Sequence, residues 1–150
     1  MKPNNENRVY IKFPAITENE RTARMMAAAF LTSLNPTMEE MDDVKTAVSE
    51  AVTNSIIHAY EEKKDKMDCE VEVSYIRAGK SIEICVMDQG KGIPDIQKAM
   101  EPLYTTKPKE ERSGMGFSFM EAFMDEVTVT SVVGEGTKVV MKKMIGKQED

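Results

Sequence analysis

The sequence has no tryptophan, few cysteines and no long hydrophobic run. Its two cysteines, Cys69 and Cys85, have no CxxC spacing, so we expect buried free thiols in a cytosolic protein. The longest apolar run, residues 25–31, is far too short to cross a bilayer. The polar N-terminal segment MKPNNENR contains no signal-peptide core. These absences predict a cytoplasmic chain without a membrane segment.

Basic residues are also too few for a nucleic-acid-binding surface. Lys and Arg number 20 against 26 Asp and Glu, which gives a formal net charge of -6. Binding to nucleic acid or to an anionic membrane depends on a basic footprint. We therefore expect neither direct nucleic-acid binding nor membrane binding. The 150 residues predict one domain, residues 1–150, long enough to bury about two-thirds of the unfolded surface.

Hydrophobic periodicity predicts an α+β fold. Alternating apolar residues predict a strand over residues 8–13 and two hairpins, over 69–88 and 126–144. Helical patterns are found over residues 17–35, 38–60, 95–100 and 117–125. Thr37 and Glu40 have the spacing of a capping box at the start of the second helix. Hairpins imply a mixed, mostly antiparallel sheet, and amphipathic helices would cover one of its faces, which makes a two-layer α/β sandwich.

The second predicted helix carries a polar stripe. In SEAVTNSIIHAY, Glu50, Asn54 and His58 recur every fourth residue and therefore project from the same side. Glu50 can act as a base, and Asn54 can offer an oxygen to Mg²⁺, which is usually completed by waters and substrate phosphates. Taken alone, an edge row of satisfied polar groups is the simpler interpretation. For His58 we keep that interpretation and expect a packed neighbour.

Two downstream segments suit a nucleotide. In DQGKGIP, Asp88 can accept a hydrogen bond from the exocyclic amine of a purine. Gly90 and Gly92 permit positive φ and allow a ligand to come close to the backbone. The segment SGMG, residues 113–116, opens a predicted helix whose free N–H groups favour an anion, and the preceding TTKPKEER supplies hydroxyls and cations. Each segment alone is also compatible with a turn, a cap or a surface loop. The GxxxxGKS/T pattern is missing, which disfavours the P-loop class.

The order of these clusters is more specific than any one of them. It resembles the nucleotide-binding boxes of the GHKL superfamily of ATPases and kinases, through Glu50-x-x-x-Asn54, Asp88-x-Gly90-x-Gly92, Gly114-x-Gly116 and Gly136-Thr137. Along essentially the whole chain the sequence resembles the anti-sigma F factor family, the serine kinases of the sporulation switch. The segments that carry this likeness are SEAVTNSIIHAY, DQGKGIPDI, PLYTTKP, ERSGMGF and FMDEV.

The resemblance implies a Bergerat-type ATP-binding sandwich with a lid over residues 93–113. The C-terminal tail, residues 146–150, is itself expected to be frayed. Glu50 would be the catalytic acid/base and Asn54 the Mg²⁺ ligand. Asp88 would recognise adenine by accepting a hydrogen bond from its amine. Arg24 matches by position an arginine that contacts partner proteins in this family. The other residues implied at ATP or ADP are Gly90, Gly92, Ile93, Thr105, Thr106, Lys107, Arg112, Ser113, Gly114, Met115, Gly116, Phe117 and Thr137.

The family's activity implies an ATP-dependent protein-serine kinase that is also an anti-sigma factor. Such a protein is a homodimer, binds a sigma factor of the sigma F type, and phosphorylates a serine of a small anti-anti-sigma factor. Two alternatives stay open at this point. One is an anti-sigma kinase of a stress-response circuit, and the other is a nucleotide-gated binding module with negligible kinase activity.

Overall fold

The computed structural model describes residues 6–101 and 116–146. The strands in this part of the chain are β1 (Glu6–Pro14), β2 (Glu70–Ala78), β3 (Ser81–Asp88), β4 (Glu126–Val132) and β5 (Gly136–Met144). The α-helices are α1 (Glu18–Leu31), α2 (Met38–Asn54), α3 (Ile96–Ala99) and α4 (Gly116–Phe123). Short 3-10 helices span Thr32–Leu34 and Lys66–Asp68, and a π-helical turn, Ser55–Ala59, continues α2. Within the described residues no helix is long and apolar enough to cross a membrane.

One sheet contains the five strands, in the order β1-β2-β3-β5-β4. The two hairpins turn where the sequence predicts, between Ala78 and Ser81 and between Val132 and Gly136. The predicted two-layer α+β sandwich with a mostly antiparallel sheet is confirmed. Among the described strands each neighbouring pair is antiparallel.

The helices cover one face of this sheet and form the core with it. Strand side chains alternate between the two faces, and the fully buried ones include Val71, Val73, Tyr75, Ile82, Ile84 and Met141. From the helices, the matching buried side chains include Leu31, Val44, Val48, Val52 and Met120. Each such side chain contributes about 1.5–3 kcal/mol when fully buried. Cys69 and Cys85 are buried free thiols, as predicted.

Helix α2 lies at the centre of the helical layer, because it contacts both α1 and α4. It begins at the predicted capping box, in which Thr37 Oγ1 accepts from the Glu40 N–H and Glu40 Oε1 accepts from the Thr37 N–H. Its end differs from the single helix predicted over residues 38–60, since the α-helix stops at Asn54 and the π-helical turn follows. Apolar residues continue across this change, so periodicity does not reveal it. The π-helical turn contacts β3, at one end of the sheet.

Candidate functional site

A cavity of about 300 Å³ opens where the end of α2 meets the end of β3 and the start of β5. Most of its wall is apolar, with a few polar groups that converge on it, which is the usual make-up of a small-molecule site. The side chains and backbone that line it belong to Ala51, Asn54, Ser55, His58, Ala59, Asp88, Lys91, Gly92, Ile93, Pro94, Ala99, Gly116, Phe117, Val133, Thr137 and Val139.

Asp88 provides the buried carboxylate of this cavity and is 8% exposed. Its Oδ1 accepts from the N–H groups of Gly90 (3.0 Å) and Thr137 (3.2 Å), and its Oδ2 accepts from Ser55 Oγ (2.9 Å). Burial raises the pKa of Asp88, while these three hydrogen bonds act in the opposite direction. A carboxylate has about four lone-pair sites, so one site on Oδ2 remains for a donor from a ligand.

Two glycines let other segments approach the loop after β3. Gly92 has a φ of +80°, and a Cβ there would lie 2.5 Å from the carbonyl oxygen of Val132. A Cβ on Gly90 would lie 2.3 Å from the carbonyl oxygen of Ala59. Gly92 lines the cavity, whereas Gly90 is not among the lining residues and packs against the end of the π-helical turn. The structure therefore gives Gly90 a packing reason to be glycine, beside the predicted role at the purine.

Several of the predicted site residues come together in this cavity. They are Asn54, Asp88, Gly92, Ile93, Gly116, Phe117 and Thr137. Glu50 lies one helical turn before Asn54 on α2, half-buried, and is not among the residues that line the cavity. Arg24 is also outside it, on α1, where Nε donates to Glu20 Oε2 at 2.8 Å.

The remaining predicted site residues lie outside the described part of the chain. They are Thr105, Thr106, Lys107, Arg112, Ser113, Gly114 and Met115. The same holds for residues 102–113 of the predicted lid and for residues 147–150 of the predicted tail. In the described residues, no group of three or more His, Cys, Asp or Glu side chains could hold a metal ion.

Sequence reasoning missed two polar residues of the cavity wall. Ser55 lies among small and apolar residues of its helix, and its hydroxyl donates to Asp88, a residue 33 positions away. His58 was expected to be a packed neighbour, and the structure places it in the cavity wall. For His58 a signal existed, because it continues the four-residue spacing of Glu50 and Asn54. For Ser55 no local signal separates a buried hydroxyl with a distant partner from a small core residue.

A second cavity of about 300 Å³ lies on the other side of the sheet end and shares Asp88 and Thr137 with the first. Much of its wall consists of charged strand side chains of both signs, such as Lys12, Glu72 and Lys138. Among the described residues, Gly136 is the one other member of the predicted nucleotide-binding boxes that lines it, whereas seven predicted site residues line the first cavity. We therefore assign the candidate site to the first cavity.

The sandwich and its cavity define a histidine kinase-like ATPase domain, the description of the family that matches residues 13–143. The fold is shared with the crystal structure of the RsbU and RsbW domains of a Mycobacterium tuberculosis protein, with a TM-score of 0.69 at 19% identity over 95% of this chain and 33% of that one. It is also shared with the catalytic domain of the histidine kinase ThkA in a nucleotide-free form, with a TM-score of 0.53 at 14% identity over 91% of this chain and 97% of that one.

Sequence similarity to named relatives extends over nearly the whole chain. The anti-sigma F factor of Clostridium acetobutylicum is 52% identical over 97% of this chain and 99% of its own length. The anti-sigma F factor of Geobacillus kaustophilus is 50% identical over 95% and 96%, respectively. That of Clostridium botulinum strain Eklund 17B is 54% identical over 92% and 94%. The chain belongs to the anti-sigma F factor family.

Proposed function

We propose that the chain is an ATP-dependent protein-serine kinase and an anti-sigma factor. In this proposal a cytoplasmic homodimer binds and inhibits a sporulation sigma factor of the sigma F type, and phosphorylates a serine of an anti-anti-sigma factor. The observation that carries the catalytic part is the buried Asp88 carboxylate, fixed by three donors in a cavity that also contains Asn54. The names and high identity of the relatives support the choice of partners.

The cavity fits an adenine nucleotide. Its volume of about 300 Å³ lies at the lower end of the range for ligand pockets, about 300–1,000 Å³. The free lone-pair site on Asp88 can accept a hydrogen bond from the exocyclic amine of adenine. A hydrogen bond to a charged group contributes about 1.5–3 kcal/mol. Guanine carries a carbonyl oxygen at the corresponding position, so two acceptors would face each other. We therefore expect selectivity for ATP and ADP over guanine nucleotides.

The phosphates would extend from this pocket toward Asn54 and the start of α4. Mg²⁺ prefers oxygen ligands and is often held by one or two protein groups together with substrate phosphates, so the Asn54 side-chain oxygen suits it. Gly116 and Phe117 begin α4 and line the cavity. We assign the phosphate cradle to them and to the predicted residues before them, which are Thr105, Thr106, Lys107, Arg112, Ser113, Gly114 and Met115.

Glu50 is the proposed general base. It would accept the proton of the partner's serine hydroxyl while ATP supplies the γ-phosphoryl group and is left as ADP. Because Glu50 lies one helical turn before Asn54, the proposed base and the proposed metal ligand project from the same side of α2. Phosphoryl transfer depends mainly on positioning and on stabilising charge, which suits two groups on one rigid helix.

The test is transfer of labelled phosphate from ATP to a purified anti-anti-sigma protein. We expect Glu50→Gln to lower the transfer rate by about 10²–10⁴-fold, the range for a general base, and to leave the Kd for ATP within about twofold. Glu39→Gln is the matched control, because Glu39 is exposed in the first turn of the same helix. Its rate should equal that of the wild type.

Three outcomes would contradict parts of the proposal. Transfer at the wild-type rate by Glu50→Gln removes Glu50 from its role. Binding of ATP by the wild type without any transfer to the partner favours a nucleotide-gated binding module. A pull-down with ATP or ADP that recovers a stress-response sigma factor places the protein in a different circuit.

A further inference from the structure

Tyr60 follows the π-helical turn and connects it to the start of β2 and to the loop after β3. The residue is 5% exposed. Its hydroxyl donates to the carbonyl oxygen of Glu70 (2.6 Å) and accepts from the N–H of Gln89 (2.7 Å). Burial raises the pKa of Tyr60 above its ordinary value, so the hydroxyl keeps its proton at neutral pH and can make both bonds. Because Gln89 follows Asp88 directly, Tyr60 is hydrogen-bonded to the peptide group between Asp88 and Gln89.

The loop after β3 is also held by three contacts of Lys91. The N–H of Lys91 donates to the carbonyl oxygen of Ala59 at 2.8 Å, and the Lys91 ammonium pairs with Glu61. On the other side the N–H of Gly134 donates to the carbonyl oxygen of Lys91 at 2.8 Å. These contacts hold the later part of the loop. The contact with Tyr60 holds its beginning, next to the carboxylate that faces the cavity.

We propose that Tyr60 is a positioning residue for recognition of the adenine amine by Asp88, an inference that rests on the proposed nucleotide site. Three donors orient the Asp88 carboxylate, and one of them is the N–H of Gly90, which directly follows Gln89. The direction of the remaining lone-pair site therefore depends on the backbone of this loop. The bond from Gln89 N–H to Tyr60 restrains that backbone. Without the hydroxyl this restraint on the Asp88–Gln89 peptide group is lost, and we expect the free lone-pair site to shift relative to the amine.

The test compares two nucleotides that differ only in this amine. ATP has it, and purine riboside triphosphate lacks it. For Tyr60→Phe we expect the Kd for ATP to rise about tenfold, within the range for one charge-assisted hydrogen bond. The Kd for purine riboside triphosphate should rise less than about twofold. Both are measured by calorimetric titration of the full chain with Mg²⁺ present.

Tyr75→Phe is the matched control. Tyr75 is another buried tyrosine whose hydroxyl donates to a carbonyl oxygen, that of Ala23 at 2.8 Å, and it is not among the residues that line the cavity. The control removes an equivalent buried hydroxyl. Both dissociation constants should stay within about twofold of the wild type. A change in the ratio of the two dissociation constants in Tyr60→Phe is then due to the loss of the Tyr60 hydroxyl.

Each remaining outcome overturns one claim. If Tyr60→Phe weakens both nucleotides equally, or neither, Tyr60 does not position Asp88, although the proposed function stands. If the wild type binds neither nucleotide, the proposed function fails and this inference fails with it.

Amide hydrogen exchange tests the contact in the wild type, without any variant. We expect the Gln89 N–H to exchange at least about tenfold more slowly than in an unstructured peptide. Exchange at the unstructured rate overturns the role of Tyr60 even if Tyr60→Phe does not fold.

Discussion

At the scale of single residues, the Asp88 carboxylate lowers the stability of the unbound fold. Its burial raises its pKa above the ordinary value of 3.8, although three hydrogen bonds oppose the shift. The folded protein therefore binds the proton more tightly than the unfolded chain does. The resulting loss of stability is absent below the unfolded-state pKa, grows as the pH rises toward the folded-state pKa, and is complete above it. A ligand amine that bonds to the carboxylate would offset this loss.

Asp88→Asn should separate stability from binding. The amide oxygen can accept from Gly90 and Thr137, and the amide nitrogen can donate to Ser55. At pH 7 we expect a higher free energy of unfolding than in the wild type, measured by urea denaturation without nucleotide, and a difference that shrinks as the pH falls toward 4. The affinity for ATP should fall by about tenfold or more.

The control for this change is Asp125→Asn. Asp125 is exposed, and its Oδ2 accepts from the N–H of Met144 at 2.8 Å. Asp125 is not among the residues that line the cavity, so the affinity for ATP should not change. Lower stability of Asp88→Asn than of the wild type at pH 7 would show that the ionised carboxylate is not destabilising in the folded state.

At the scale of elements, α2 carries the site at one end and its capping box at the other. Thr37→Ala removes the acceptor of the Glu40 N–H, and loss of such a cap costs about 1 kcal/mol. Thr17 precedes α1 in the equivalent position, but its side chain makes no capping hydrogen bond. We therefore expect Thr37→Ala to lower the free energy of unfolding by about 1 kcal/mol and Thr17→Ala by much less, both measured by urea denaturation.

The affinity for ATP should be unchanged in Thr37→Ala, because Thr37 and Asn54 lie at opposite ends of α2. An equal loss of stability in the two variants would mean that the threonines act through helix propensity or solvation, with no contribution from the capping box. A loss of ATP affinity would mean that the whole helix, rather than its C-terminal end, sets the shape of the cavity.

Local sequence signals predicted the elements well and the contacts between them poorly. Both hairpins, the Thr37–Glu40 capping box and the order of helices and strands follow from periodicity and turn chemistry, which act over a few residues. The π-helical turn Ser55–Ala59 was not predicted, because its composition is the same as that of a helix. The bonds from Ser55 to Asp88 and from Gln89 to Tyr60 join residues about thirty positions apart. Such bonds depend on how α2 packs against β3, which no local pattern contains.

At the scale of the whole molecule, the helical layer separates two proposed surfaces. The cavity lies between the end of α2, the loop after β3 and the start of α4. Arg24 lies on α1, which contacts α2 on its other flank and contributes nothing to the cavity wall. Changes at Arg24 and changes at Asp88 should therefore affect different activities. This separation can be tested without knowing the shape of any complex.

Arg24→Ala should weaken partner binding and spare nucleotide binding. We expect the Kd for the sigma factor or the anti-anti-sigma factor to rise about thirtyfold, the size of an arginine hot spot, and the Kd for ATP to stay within about twofold. Stability should change little, because an i,i+4 helix pair contributes about 0.3–0.5 kcal/mol, and Arg24–Glu20 is such a pair, only partly buried. Arg21→Ala, an exposed arginine on the same helix, is the control. Equal losses of partner binding in the two variants would indicate a general charge effect of α1 and would remove Arg24 from its proposed role.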